Sequence, residues 1–355
     1  MSSPLRPPRR TALLVGINYN NNPDATLNGC YNDVVNVSQY LRTVLGYDPS
    51  SVNILTDGNR GSAFPASVAP TRQNILAGMT ALVAGMVAGD EAVFHYSGHG
   101  SLVRDTNGDE VTGLDSCICP LDYNAPASSG GGIITDDELR ALLVDQVPRG
   151  ARLYVILDCC HNGTGCDIRY KYEDFSVLIR PPSARTAPLW LTRQKAFVQG
   201  KYTETAGEVF MISGCRDEQT SADAYIDRAF AGALTYAVFS ILRANNASIR
   251  TYSWSALLRD VRYFMRANRY SQIPQVMTGQ IISPARPVFA AVAAVAARGS
   301  AGLQLTSSSF IANIAGGARG HPDQRAVVET TLFSFSVKPK SSPYSRSRQG
   351  IQFIH

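Results

Sequence analysis

The sequence predicts a single α/β sandwich with a mostly parallel central sheet. Short apolar runs rich in β-branched residues alternate along the chain with segments that carry apolar residues at helical spacing. The chain has 355 residues, of which 45% are hydrophobic and 17% are charged, which is enough apolar surface for a large buried core. No internal repeat is found. We therefore expect one continuous sheet with helices packed on it.

The predicted elements alternate between strand and helix. Continuous apolar runs predict fully buried strands at residues 12–17, 52–55, 92–96, 153–157 and 209–212. Helical periodicity predicts helices at residues 33–45, 72–87, 136–144, 230–242 and 254–265. Ligands and catalytic groups gather at the carboxyl ends of the strands in sheets of this kind, so functional residues are expected there.

Two long segments interrupt the alternation. Residues 101–135 are polar and rich in glycine, and residues 168–207 contain seven Lys and Arg, a Pro-Pro pair and little apolar periodicity. Connections of this length are usually functional or mobile. The last segment, residues 291–355, is rich in Ser, Gly and Ala and is predicted to be a weakly structured tail.

The net charge of +5 belongs to the tail. Residues 298–355 contain seven Lys and Arg against two acids, so residues 1–297 are balanced. A solubilising tail is favoured over an RNA-binding one, and nucleic acid is not an expected partner. Seven irregularly spaced cysteines do not suit a disulfide framework, and no apolar stretch is long enough to span a bilayer. We expect a cytoplasmic protein without membrane association, with the nucleus as the alternative location.

Two predicted strands end in polar motifs that contain glycine. The first motif is F-H-Y-S-G-H-G at residues 94–100, and the second is V-I-L-D-C-C-H-N-G at residues 155–163. Glycine lets the main chain approach a ligand closely, and both motifs place reactive side chains at a carboxyl edge. If the two strands are neighbours, His99 can face Cys160 across a cleft, which is an arrangement for nucleophilic catalysis.

These motifs resemble those of the metacaspases, which belong to the caspase-like cysteine peptidases. H-Y-S-G-H-G resembles the catalytic histidine motif, and D-C-C-H-N-G resembles the nucleophile motif Asp-x-Cys-His-Ser-Gly. S-G-C-R-D-E-Q-T-S-A-D-A at 213–224 and S-Q-I-P-Q-V at 271–276 resemble the small-subunit region. The resemblance covers residues 10–285, has the type I layout, and implies a caspase-like three-layer α/β sandwich.

The resemblance also divides the chain into five regions. They are a short N-terminal extension, a large-subunit-like catalytic region, a basic linker loop, a small-subunit-like region and a low-complexity basic tail, at residues 1–10, 11–167, 168–207, 208–290 and 291–355. Self-cleavage within the linker is an expected property, and a monomer is the expected state.

The resemblance implies that Cys160 is the nucleophile and that His99 is its base and acid. The implied oxyanion donors are the main-chain N–H groups of Gly100 and Cys160. Strand alternation agrees, because Asp158 and Cys160 share one face while Cys159 points towards the core. Structural roles, as buried thiols or satisfied imidazoles, are expected for Cys117, Cys119, Cys166, Cys215, His95 and His161.

A substrate pocket is implied at Cys30, Asp33, Ser97 and Asp158. Two carboxylates in a partly dry pocket repel each other, and a cation between them stabilises both, above all a guanidinium. Protein or peptide substrates with Arg or Lys before the cleaved bond are therefore expected. Asp33 could also cap the following helix, and the two roles are compatible.

A second group of acids implies a calcium site. The resemblance assigns Asp115, Asp136, Asp137 and Asp167, and clustered carboxylate oxygens suit a hard cation. Helix capping and a solvated surface are the alternative role for these acids. The segment D-T-N-G-D-E at 105–110 begins like an EF-hand loop, but Glu110 occupies the glycine position and Ser116 the terminal glutamate position. No EF-hand is predicted.

The function predicted from these residues is a calcium-activated cysteine endopeptidase. A catalytically silent caspase-like scaffold is the alternative, and the presence of the dyad together with both pocket acids argues against it. A zinc or thiol-redox protein is disfavoured because no C-x-x-C pair occurs, and C-C and C-I-C are poor zinc spacings. Asn162 replaces the serine usual in the family and is expected to leave the reaction class unchanged.

Overall fold

A computed structural model describes residues 6–58, 68–108, 110, 113–159, 165–172, 202–214, 223–226, 229–283 and 285–289. Among these residues the strands are β1 (Arg10–Gly16), β2 (Val52–Thr56), β3 (Glu91–Ser97), β4 (Gly100–Arg104), β5 (Leu114–Ile118), β6 (Ile134–Thr135), β7 (Arg152–Asp158), β8 (Tyr170–Tyr172), β9 (Glu208–Ser213), β10 (Asp223–Ile226), β11 (Ala229–Gly232) and β12 (Gln275–Thr278). The five strands predicted from the sequence correspond to β1, β2, β3, β7 and β9, each within two residues of its predicted ends.

Seven of the described strands form one central sheet, in the order β2-β1-β3-β7-β9-β12-β8. The first five are parallel, and β12 is antiparallel to both of its neighbours. The prediction of a mostly parallel sheet is confirmed. Register places Gly16 beside Ser97 and Ser97 beside Asp158. The carboxyl ends of β1, β3 and β7 therefore meet at one edge of the sheet.

Helices cover both faces of this sheet and complete the three-layer sandwich. The described helices are α1 (Cys30–Thr43), α2 (Arg72–Val83), α3 (Asp136–Leu139), α4 (Ala233–Ala244) and α5 (Trp254–Ala267). Apolar residues of α1, α4 and α5 pack with one face of the sheet, and those of α2 and α3 pack with the other. Burial on both faces explains why the central strands are continuous apolar runs. Within the described ranges, no helix has the length and apolar character needed to cross a membrane.

Three predicted helices differ from the structure. The helix predicted at 230–242 begins at Ala233, because Ala229–Gly232 pairs with Asp223–Ile226 in a hairpin. The helix predicted at 72–87 ends at Val83, and Gly85 follows with φ +64°. The segment predicted at 136–144 is one α-helical turn followed by a π-helical turn at Arg140–Val144.

The two long segments contain strands that the sequence pattern did not predict. β4, β5 and β6 form a three-stranded antiparallel sheet inside the first segment. β8 lies in the second segment and adds an edge strand to the central sheet, next to the unpredicted β12. Each of these strands spans two to five residues. That length is too short for a periodic pattern, so pairing with other strands defines them.

An ion-pair network crosses the amino ends of three central strands. Arg152 on β7 pairs with Glu91 on β3, with 3.2 Å between Nη1 and Oε1, and with Glu208 on β9, with 2.8 Å between Nε and Oε2. Glu208 also pairs with Arg286. The network joins the large-subunit-like and small-subunit-like regions at the edge opposite the predicted site.

Candidate active site

His99 lies just beyond the carboxyl end of β3, and a main-chain carbonyl orients its ring. Its Nε2 atom is 2.8 Å from the carbonyl oxygen of Ala25, the last residue of the 3-10 turn Pro23–Ala25. A carbonyl oxygen only accepts, so Nε2 carries a proton and Nδ1 is the acceptor nitrogen of the neutral ring. The imidazole therefore has one tautomer and one orientation, with Nδ1 suited to take a proton.

Cys160, the predicted nucleophile and an oxyanion donor, lies outside the described residues, as do His161 and Asn162. The neighbouring Cys159 has a side chain that is 0% exposed and packs in the core on the α2 face. The prediction that Cys159 points into the core is confirmed. Gly100, the other predicted oxyanion donor, is the first residue of β4 and is buried.

The other predicted structural residues are buried where the structure describes them. The Nε2 atom of His95 is 3.1 Å from the Thr235 hydroxyl oxygen, and burial lowers the pKa of His95 to about 3, so this imidazole is neutral. The described cysteines are all buried: Cys30, Cys117, Cys119, Cys159 and Cys166. Cys215 lies outside the described residues.

Asp33 and Asp158 bring two buried carboxylates together at the carboxyl edge. Asp33 is 0% exposed and accepts a hydrogen bond from the Ser97 hydroxyl at 2.6 Å. Asp158, at the end of β7, accepts one from the Thr235 N–H, in the first turn of α4, at 2.7 Å. Helix N-termini stabilise anions, so this contact favours an ionised Asp158.

The main chain of Gly232 lies against both carboxylates. Its N–H is 3.1 Å from Oδ1 and 3.0 Å from Oδ2 of Asp33. A Cβ atom at this position would lie 2.3 Å from Oδ2 of Asp158 and 2.7 Å from Oδ2 of Asp33. Cys30 lies on α1 one turn before Asp33. Two predicted pocket residues, Asp33 and Asp158, thus contact a glycine or a helix start that is distant in sequence.

Five acids form a second cluster beside the segment that follows the predicted nucleophile. Oxygens of Asp115, Asp136 and Asp137 lie within 4.8 Å of one another, and so do oxygens of Glu110, Asp136 and Asp167. Burial, together with the negative charge of Asp167, raises the pKa of Asp136 to about 9. Grouping these carboxylates without a cation is costly, because each is desolvated and repelled by the others.

Helix capping accounts for only part of the bonding of the two acids at the start of α3. Thr135 and Glu138 form a reciprocal capping box there, and Oδ1 of Asp136 accepts the Asp137 N–H at 3.2 Å, while its Oδ2 accepts the Ser116 N–H from β5 at 2.8 Å. The cluster offers only carboxylate oxygens, from three separate segments, as metal ligands. Oxygen ligands are those that a hard divalent cation prefers. These residues fit a calcium ion, and Glu110 joins the four acids that the sequence predicted.

Comparison with known proteins decides the family. Residues 10–169 match the family model described as the metacaspase, peptidase C14 domain. Metacaspase-1 of Mycosarcoma maydis is 38% identical over 303 residues, which cover 77% of this chain and 71% of the relative. The chain belongs to the metacaspase family. Metacaspase-1 of Yarrowia lipolytica is 36% identical over 296 residues, 76% of this chain and 61% of that relative.

Membership in the metacaspases places the chain in a family of cysteine peptidases, whose substrates are proteins. The crystal structure of a Geobacter sulfurreducens protein matches with a TM-score of 0.52 and 25% identity, over 78% of this chain and 96% of the other. The predicted family and the predicted fold class are confirmed.

Sequence reasoning missed two residues of this metacaspase. Gly232 is 199 residues from Asp33, and the predicted helix at 230–242 concealed it inside a helical segment. In the sequence, Glu110 stands in a segment that begins like an EF-hand loop, and it breaks that pattern at the glycine position. A signal existed for Gly232, since glycine before the apolar run of α4 is typical of a helix start. Spacing gave no signal that Glu110 would reach Asp136.

Proposed function

We propose that this metacaspase is a calcium-activated cysteine endopeptidase that cleaves after Arg or Lys. The observation that carries the proposal is the convergence of two buried acids, Asp33 and Asp158, on Gly232 at the edge where β3 and β7 end. Such a site selects a cationic side chain, because a cation offsets the repulsion between the two carboxylates and compensates for the hydration that they lose on burial.

The proposed reaction uses His99 and Cys160 as a dyad. The Nδ1 atom of His99 takes the thiol proton, and the thiolate attacks the carbonyl carbon of the scissile peptide bond. The N–H groups of Gly100 and Cys160 stabilise the oxyanion. His99 then protonates the leaving amine, and water hydrolyses the thioester. The bond between Nε2 and the Ala25 carbonyl keeps Nδ1 in the acceptor role throughout.

The pocket favours Arg and Lys because of its shape as well as its charge. Ser97 and Gly232 bind Asp33 from two sides, so this carboxylate keeps its position when a substrate enters. A planar guanidinium can bind two carboxylates at once. Glycine at position 232 lets the main chain lie against both acids, because a Cβ atom there would come within 3 Å of each carboxylate.

We expect an Arg peptide to be cleaved with a kcat/KM about 10³-fold above that of the same peptide with Asp before the scissile bond, because an anion leaves two buried carboxylates without a counter-charge. Asp158→Asn is expected to reduce cleavage of the Arg peptide about 100-fold. Asp48→Asn is the matched control, since Asp48 is an exposed carboxylate before β2. Steady-state kinetics on paired peptides measure both effects. Comparable rates for the Arg and Asp peptides would contradict the proposed pocket.

The linker supports self-cleavage as part of the proposal. Most of residues 168–207 lie outside the described residues, but Tyr202 at its distal end is buried. The Tyr202 hydroxyl donates to Glu110 at 3.0 Å, and the Arg140 guanidinium lies 5.5 Å from the centre of its ring. The bond after Lys201 could enter the cleft only if Tyr202 left these contacts, so cleavage further upstream is favoured.

Incubation of the purified chain is expected to give cleavage after Arg185, Arg193 or Lys195 rather than after Lys201. The two fragments should elute together in gel filtration, because β7 and β9 remain paired and Arg152 still joins Glu91 to Glu208. N-terminal sequencing identifies the new ends, and Cys160→Ala is the control. The same fragments from the control, or cleavage solely after acidic residues, would refute self-processing by this site.

Calcium is the proposed cofactor of this mechanism. Asp115, Asp136, Asp137, Asp167 and Glu110 would hold it, and the ion would supply the positive charge that removes repulsion among these acids. The Arg140 guanidinium donates to the main-chain carbonyl of Asp167, so the segment after the nucleophile is tied to α3 and its following turn. Ordering the cluster would therefore constrain the segment that carries Cys160.

A further inference from the structure

Tyr19 lies directly against the ring of His99. It follows β1, is 0% exposed, and its ring centroid is 4.7 Å from that of the imidazole, with 38° between the two planes. Its backbone has φ +54°, in the left-handed region that a bulky residue rarely adopts. The contacts of this side chain therefore hold the residue in a conformation that the backbone alone disfavours.

The hydroxyl of Tyr19 also binds the main chain of His99. The His99 N–H donates to this hydroxyl at 3.0 Å, and the hydroxyl donates to the carbonyl of Cys119. The hydroxyl of Tyr96 donates to the His99 carbonyl at 2.8 Å. Burial raises the pKa of both tyrosines well above its usual value, so both hydroxyls keep their protons. Buried tyrosines thus bind both polar groups of the His99 main chain.

Gly98 shows how closely the two tyrosines approach the histidine motif. A Cβ atom at position 98 would lie 2.7 Å from the Tyr96 hydroxyl oxygen and 3.1 Å from the Tyr19 hydroxyl oxygen. The first of these distances is shorter than real Cβ contacts allow. Glycine before His99 is therefore what lets both hydroxyls reach the histidine main chain.

We propose that Tyr19 is a positioning residue for His99. The Tyr19 hydroxyl fixes the main chain of His99, and the Tyr19 ring favours the protonated form of the His99 imidazole. An aromatic ring attracts a cation that lies within about 6 Å of its centroid. The inference rests on the proposed function, in which His99 carries a positive charge between taking the thiol proton and protonating the leaving amine. The ring would stabilise that charge and so deepen the role assigned to His99.

Several titratable groups surround the imidazole and its aromatic neighbour. On the elements packed around them these are Tyr19, Tyr96, Tyr123, Cys30 and Cys119, and burial raises the pKa of the three tyrosines. The negative charge of the exposed Asp24 carboxylate also raises the pKa of Tyr123. The Cys160 thiol lies outside the described residues, and the test removes it by substitution.

The test follows the NMR titration of the His99 imidazole in the full chain carrying Cys160→Ala, which requires no peptide cleavage. Tyr19→Leu is expected to lower the pH midpoint of this titration by about half a unit, because the aromatic face no longer stabilises the cation. Tyr19→Phe keeps the ring and should keep the midpoint. Tyr123→Leu is the matched control, since Tyr123 packs edge-on against Tyr19 with 6.0 Å between centroids. The His99→Gln spectrum identifies the resonance.

Kinetics with Cys160 intact test the hydroxyl. Tyr19→Phe is expected to lower kcat about tenfold at unchanged KM, because the His99 N–H loses its acceptor. Tyr19→Leu should also move the acidic limb of the kcat/KM profile to lower pH, because His99 must be neutral to take the thiol proton, whereas Tyr123→Leu should leave this limb in place.

Three outcomes are decisive. A folded Tyr19→Leu protein with an unchanged midpoint overturns the proposal. If that variant does not fold, an unchanged kcat in Tyr19→Phe overturns it instead. A shifted midpoint in a protein that cleaves no peptide supports the effect of the ring on His99 and refutes the proposed function.

Discussion

Cys160→Ala is expected to abolish peptide cleavage, with a loss of at least about 10⁴-fold in kcat, because the alanine cannot form the acyl intermediate. Cys159→Ala should keep most of the activity, since that side chain is 0% exposed and packs in the core. The small cavity in Cys159→Ala should lower the free energy of unfolding by about 1 kcal/mol. Steady-state cleavage of an Arg peptide and urea unfolding measure the two effects.

The two variants control for each other, because each removes one thiol and the two positions are adjacent. Circular dichroism establishes that both are folded. Equal loss of activity in two folded variants would show that the nucleophile is misassigned. Absence of cleavage by the wild-type chain at every calcium concentration would favour the caspase-like scaffold instead.

Chelation of calcium is expected to lower activity at least about 100-fold, and added calcium should restore it, because a bound cation would offset the repulsion among the five acids. Magnesium should substitute poorly, since it is smaller and gives up its waters reluctantly. Asp136→Asn should lose the calcium response, because Asp136 belongs to both groups of oxygens. Asp137→Ala should weaken it. The readout is cleavage of an Arg peptide against free calcium.

Thermal unfolding provides a second readout that does not depend on activity. In the Cys160→Ala chain, calcium at about 100 times its Kd should raise Tm by roughly 5 °C, since binding to the folded state alone contributes about 2.7 kcal/mol. The additional Asp136→Asn substitution should remove that rise, while Asp48→Asn should preserve it. Full activity in excess chelator would leave these acids as structural groups without a metal.

Local sequence pattern predicted the strands well because these strands are buried on both faces. The strands β3 and β7 are each one residue longer at both ends than predicted. The continuous apolar runs and the sheet therefore end at nearly the same positions. The pattern was wrong at 230–232, where apolar residues at helical spacing form a strand instead. A short apolar run suits both structures, and pairing between β10 and β11 decides between them here.

Side-chain direction was predictable for Cys159 and not for Glu110. Strand alternation from Asp158 places Cys159 on the opposite face, so a rule that uses only two neighbouring residues was sufficient. Glu110 reaches Asp136 and Asp167 because the first long segment folds into β4, β5 and β6 against the start of α3. That arrangement depends on contacts between segments, and no spacing within residues 105–110 encodes it.

The sequence by itself determined the alternation of elements, the family resemblance and the identity of the candidate dyad and pocket acids. These depend on residue type and local spacing, which the chain carries without being folded. Only the tertiary structure decided that Gly232 lies against both Asp33 and Asp158, and that Tyr19 packs against His99. Both contacts join residues far apart in sequence, so strand order and helix packing fix their distances.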